Sequence, residues 1–481
     1  MQKNSGSFTP ELNDSHHNGL THHVASFIQS TSYKDIPSDV IETSKKSILD
    51  GIGLSIAGLK SRAGQLALKF INNQAPMNAP CSVIGGKDKT SMRLAAFING
   101  LTMHADDYDD TQLAVKSDRV YGLLTHPTAP CLPAVLAVAE YKKSSSGKDF
   151  LLAYNLGIEV ETKIAEAISP RHYQQGFHAT GTCGVYASAT AASKLADFPI
   201  EKILTCLSIA GSQAAGLREN FGTMTKPFHA GKAAEAGINA LELTELGWTA
   251  SANILEAPRG FFQAHGGSYE PDSILNVLGN PWTFNNPGVS IKPHPSGSLT
   301  HPAMTALSDL INTNSIKSND IKKILVGTNH NMPNALIHHE PKNEYQAKFS
   351  MEFCMAVIAL KGKAGLNEFQ DEIVNTDEVK EMLKKITFYV DPIAEQKGYD
   401  KMTSIVKLEL TDGRSYSKTL DFGKGSPQNP MSYIDVSNKF KECTSFANWS
   451  DKKTSLIIDI IKDLENLTDL SDLIWALKDC E

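Results

Sequence analysis

The chain has 481 residues, 41% hydrophobic and 21% charged, which excludes a small stapled scaffold and a disordered polyelectrolyte and predicts two or three domains with sizeable cores. Lys and Arg number 46 against 53 Asp and Glu, so the net charge of −7 offers no general cationic field and argues against a nucleic-acid partner. Seven cysteines, odd in number and never spaced Cys-x-x-Cys, argue against a disulfide framework or zinc ribbon and predict free thiols in a reducing compartment.

In chain order, residues 1–23 are polar and histidine-dotted, with no apolar core for a signal sequence. His16, His17, His22 and His23 are expected to lie on a loose arm rather than in a metal patch. No later apolar run approaches the roughly 20 residues that span a bilayer, so a cytoplasmic protein without membrane contact is expected. Ser38 is placed to cap a helix carrying Val40, Ile41, Ile48, Leu49 and Ile52 at helical spacing. Further helices are predicted over 128–141, 147–168, 180–196 and 230–246, the third rich in small residues that permit close packing. The texture changes at the Asn-Asn-Pro-Gly turn, 285–288. Strands are predicted at 321–326 and 386–390, and in a hairpin around Asp412-Gly413, where Val406, Leu408 and Leu410 alternate before the turn and Tyr416 and Leu420 follow it. Helical patterning returns near Tyr433 and continues over 451–478. An α/β segment therefore interrupts a helical body.

Five segments could carry chemistry. In His104-Ala105-Asp106-Asp107-Tyr108-Asp109-Asp110-Thr111, four neighbouring aspartates need water, cations or donors to offset their repulsion. As a helix, this segment would place Asp106 with Asp110, and Asp107 with Thr111, on shared faces; as a helix end it would be a solvated cap. Thr125-His126-Pro127 sits at the entrance of a helix, where the N-terminus favours anions, and suits an acid or a carboxylate ligand. Gly176-Phe177-His178 suggests close backbone approach to a ligand. The stretch 222–232 superficially suggests a phosphate loop, but Lys226 stands where that motif needs glycine and Ala233 follows Lys232, so a nucleotide site is rejected. In Lys292-Pro293-His294-Pro295, two prolines fix a lysine well placed to meet a carboxylate, and His301 follows. Paired His338 and His339 lack a metal-ligand spacing.

Taken in order, these segments resemble the MmgE/PrpD family of 2-methylcitrate dehydratases, cis-aconitate decarboxylases and related enzymes of small polycarboxylates. The resemblance implies a mostly α fold: a large helical domain made from both chain ends, 1–287 and 425–481, with a smaller α/β lid, 288–424, inserted between them. It also implies a homodimer, a small anionic di- or tricarboxylate substrate, and no metal or organic cofactor. Carried over by position, Asp107, His126, His178 and Lys226 are the expected catalytic residues. Thr111, Lys226 and Lys292 are the expected substrate ligands, joined by His301, which with His294 is a candidate to stand in spatially for a missing lid histidine. Two lid positions depart from the animal cis-aconitate decarboxylases, Gly297 replacing a histidine and Ala335 aligning near a tyrosine, which weakens an itaconate-forming assignment. The resemblance therefore places 2-methylcitrate or citrate dehydration ahead of cis-aconitate decarboxylation or epimerisation of a related acid. Two other classes stay open. Asp106-Asp107-x-x-Asp110 is similar to the magnesium motif of helical prenyl-diphosphate enzymes, although aromatic content is only 7%, and the scaffold could serve as a silent binding protein.

Overall fold

The computed structural model describes residues 19–74, 79–113, 123–399 and 401–478. The expected arm falls partly outside these, with His16 and His17, but His22 and His23 belong to a regular helix, Leu20–Ser30. The helix Ser38–Gly58 forms the axis of the body. It is buried on every side from Ser47 onward, as its small and apolar residues allow. Ser38 is its first helical residue rather than its cap, a position taken by Pro37.

The two chain ends meet on this helix. Gly53 lies beneath Phe440 of the helix Tyr433–Phe446, so close that a Cβ at residue 53 would stand 2.7 Å from the Phe440 ring. Lys439 of that helix pairs with buried Asp50 at 2.7 Å. One hydrophobic core accordingly gathers residues between Leu20 and Ile291 with residues 431–477. The helices Met92–His104 and Thr225–Glu245 cross at Gly100 and Gly231: a Cβ at residue 231 would meet the Phe97 carbonyl oxygen at 2.5 Å. That approach, possible only without side chains at the crossing, sets the C-terminal end of the first helix beside the N-terminal end of the second.

A second core, built from residues 303–410, underlies a four-stranded sheet in the order Ile386–Val390, Ile321–Thr328, Ser404–Leu410, Ser415–Leu420. The first pair is parallel and the others antiparallel. The expected hairpin is present, with Leu408 opposite Tyr416 and Gly413 at φ 89°. Val326 and Ile324 face the core with Val406 and Leu408, as the alternation requires. Strand Val289–Ser290 pairs with Thr111–Leu113, tying the start of the α/β part to the helical body. The protein is thus mostly helical with one mixed α/β part. Six described cysteines are buried and free, and Cys480 lies outside the described residues. No described helix is long and apolar enough to cross a membrane.

Candidate active site

The acidic segment is a turn, not a helix. The helix Met92–His104 stops at its first residue, and Asp107 adopts φ 49°, a left-handed conformation that aspartate tolerates better than most side chains. The helical pairing of Asp106 with Asp110 therefore does not occur, and the segment is buried rather than solvated. Each carboxylate has its own partner. Lys348 Nζ donates to Asp106 at 2.9 Å, His104 Nδ1 to Asp109 at 2.8 Å, and the Thr128 hydroxyl to Asp110 at 2.6 Å. Burial pushes the Asp110 carboxyl up to about 7, with Thr128 opposing. Tyr108 is held from two directions: its hydroxyl donates to the Pro293 carbonyl at 3.0 Å, and Lys439 Nζ lies 3.7 Å above its ring. This turn is where both parts of the fold are fastened together.

Asp107 is its centre. Lys226 Nζ contacts Asp107 Oδ1, while Lys292 Nζ lies 3.1 Å from Oδ2 and donates to the Asp107 carbonyl oxygen at 2.6 Å. Burial alone would raise this carboxyl, but the two ammonium groups hold it well below the usual carboxylate range. Burial lowers Lys292, with Asp107 opposing. Lys226 belongs to the first turn of the helix Thr225–Glu245, which starts five residues earlier than its periodicity predicts. Lys292 comes from the segment leading into the α/β part. Asp107, His126, His178, Lys226 and Lys292 all line one cavity of about 510 Å³ between the two cores.

Three imidazoles stand together beside this carboxylate. The His104 ring centroid lies 4.6 Å from that of His126 and 5.7 Å from that of His178. His126 Nδ1 is 3.0 Å from the Asp110 carbonyl oxygen, which only an N–H can satisfy, so its Nε2 lone pair is left free, 4.0 Å from Asp107 Oδ1. The His126 backbone N–H donates to Thr180, fixing the residue just ahead of the helix Thr128–Lys142. His178 Nδ1 meets His229 Nδ1 at 3.1 Å, and its Nε2 has no partner among the described residues. Burial, with Lys226 adding to it, lowers His178 well below its ordinary value, and burial brings His104 to about 3 and His229 to about 4. Burial thus favours the neutral form of all four imidazoles, His126 included.

The other two expected ligands lie outside the cavity wall. Thr111 is buried and its hydroxyl is 3.2 Å from that of Ser298, which does line the cavity. His301 is buried against His294, with ring centroids 5.7 Å apart. His104 and His229 were not among the expected residues. His229 shares a helix face with Lys226, three residues away, and would have been found had the helix been started at Thr225. Ligand atoms of His104, Asp107, Asp109 and His126 lie within 4.8 Å of one another, a grouping that could hold a metal ion. A divalent cation there would face the two ammonium groups already on Asp107, so the lysines supply the positive charge of this site. The magnesium reading also fails on geometry, since Asp106, Asp107 and Asp110 bind lysines and a threonine and share no helix face.

The helical body and the α/β part thus meet at one cavity lined by two buried lysines and two buried histidines around Asp107. The chain belongs to the MmgE/PrpD family: residues 22–273 match the MmgE/PrpD N-terminal domain and 294–464 the MmgE/PrpD C-terminal domain. It is a lyase of that family. It is 28% identical to human cis-aconitate decarboxylase over 472 residues, 95% of this chain and 94% of the relative. It is 26% identical to cis-aconitate decarboxylase of Aspergillus terreus over 483 residues, 95% of this chain and 96% of the relative. It is 23% identical to 2-methylcitrate dehydratase of Salmonella typhimurium over 409 residues, 79% of this chain and 80% of the relative.

Proposed function

We propose that the protein decarboxylates an unsaturated tricarboxylate of the cis-aconitate type. The observation that carries this reading is the pair of ammonium groups on Asp107 next to His178, whose Nε2 is unpartnered among the described residues, and an aromatic wall. The Phe221 ring lies 5.0 Å from the His178 ring and 5.3 Å from Lys226 Nζ. Lysines fixed before reaction hold the carboxylates that stay, and the wall leaves the departing one poorly solvated. The bond from the methylene carbon to that carboxylate breaks and its electron pair forms a new C=C. The former alkene carbon then takes a proton as carbon dioxide leaves. His178, its Nε2 unpartnered, is the proton donor in this reading. An arriving polyanion offsets the burial and the Lys226 charge that keep the imidazole neutral, so binding itself loads the acid. His126, with a free Nε2 beside Asp107, is the second proton-handling group.

This reverses the order expected from sequence. Decarboxylases that span about 95% of the chain support it, whereas the dehydratase matches 79%. Dehydration of a citrate-type acid is the second reading, because the same histidines can remove a proton and protonate a leaving hydroxyl. Incubation with cis-aconitate, citrate and 2-methylcitrate, followed by NMR, separates the two. Itaconate and carbon dioxide from cis-aconitate are expected. Aconitate formed from citrate without carbon dioxide would replace the first reading with the second. Turnover of none of the three would overturn the substrate class. His178→Gln is expected to lower turnover about 10²- to 10⁴-fold.

A further inference from the structure

We propose that the substrate carries an apolar substituent longer than a methyl group, seated along the α/β wall of the cavity. This rests on the reading of the site as one for a polycarboxylate. Asp107, Lys226 and Lys292 form one compact buried cluster, whereas the cavity of about 510 Å³ extends well beyond it, past Arg218, Glu219 and Lys401 as well as a set of apolar side chains. Such a volume suits ligands larger than a compact tricarboxylic acid. Leu217, Ala335, Leu336, Ile337, Phe349 and Met402 supply the apolar part of its wall, beside the amides of Asn329, Asn331 and Asn334. Leu217 and Ile337 are 55% and 58% exposed, so large aliphatic side chains stand in water at the cavity itself.

The wall is continuous with the charged cluster. Phe349 lies 5.6 Å from Lys226 Nζ, and Phe221 stacks on it with centroids 6.3 Å apart. Gly297 joins the two: it lines the cavity, and a Cβ there would stand 3.3 Å from Leu336 and 3.7 Å from Phe349, so any larger residue would crowd this part of the wall. A substrate polar on every side would leave these surfaces facing water or its own carboxylates, at a desolvation cost for the latter. An alkyl tail covers them instead.

The test uses the full-length protein and tricarballylate, a saturated tricarboxylate that lacks the alkene of the reaction, with its propyl- and hexyl-substituted homologues. Affinities are measured by calorimetry. Each methylene placed on the wall is expected to tighten binding about fourfold, so the propyl homologue should bind roughly 50-fold more tightly than the parent. Ala335→Phe, which fills the space, and Ile337→Asp, at an exposed position outside the packed core, should each cut the hexyl advantage by at least tenfold. Homologues that bind no more tightly than tricarballylate, or a tail advantage unchanged in both variants, would overturn the proposal. NMR turnover of cis-aconitate and citrate, run alongside, keeps the two readings apart. Tighter binding of the tails without turnover of either acid would support this inference and defeat the reading of the unsubstituted acids as substrates. Turnover of cis-aconitate without any tail advantage would defeat this inference alone.

Discussion

Asp107→Asn is the substitution that the site geometry makes most informative. The asparagine keeps the shape of the side chain and tolerates the left-handed φ of 49°, so the turn itself should survive. What is lost is the charge between two buried ammonium groups. Lys292 retains the residue-107 carbonyl oxygen at 2.6 Å, but Lys226 loses the one carboxylate it touches. Removing one partner of a buried ion pair costs about 3–5 kcal/mol. The surviving amide oxygen places the expected loss near the lower end, at about 3 kcal/mol, or roughly a 150-fold shift in the unfolding equilibrium. Urea unfolding measured with and without saturating tricarballylate reads this directly. The deficit should be largest without ligand and shrink when the ligand's carboxylates supply the missing counter-charge. Tricarballylate should bind the variant at least as tightly as the wild type, because it no longer competes with Asp107 for the lysines. A loss below about 1 kcal/mol would refute the idea that Asp107 is the counter-charge the two buried lysines require, and a deficit indifferent to the ligand would refute competition between Asp107 and ligand carboxylates for them.

His104 is held near 3 by burial, against an ordinary 6.5, so below pH 6.5 the unfolded chain takes up a proton that the native state refuses; stability is lost as pH falls from 6.5 towards 3, by up to about 5 kcal/mol. His104→Gln should flatten part of that acid limb in pH-dependent urea unfolding, and an unchanged slope would count against it. If the contact of His229 Nδ1 with His178 Nδ1 at 3.1 Å orients His178 for proton transfer, His229→Phe should lower turnover and displace the pH profile, His229→Gln should recover part of both, and melting curves of the two should agree; unchanged turnover in His229→Phe would count against it. Tyr108→Phe removes the hydroxyl that donates to Pro293 and should cost about 1 kcal/mol of unfolding free energy, measured in the same urea titrations.

Much of the architecture is legible in local pattern. The helix Gly147–Ile168 matches its periodicity end to end, helped by the capping box of Ser146 and Asp149, and the hairpin at Asp412-Gly413 follows from alternation and turn chemistry. Asp107, His126, His178, Lys226 and Lys292 are singled out by the family resemblance, on segments that the acidic run, prolines and glycines already set apart. Periodicity and turn chemistry act over a few residues, so sequence can report them. Sequence could not show that the acidic segment turns through a left-handed aspartate, that the helix of Lys226 begins at Thr225, or that His104 and His229 complete the imidazole cluster. Those features depend on contacts between distant segments: the glycine crossing of two helices, Lys439 on Asp50 and Tyr108, and the docking of Lys292 and Lys348 onto the acidic turn. A net charge of −7 is a sum over the whole chain, whereas the field at a buried carboxylate is set by the few charges that folding brings within a few ångströms of it.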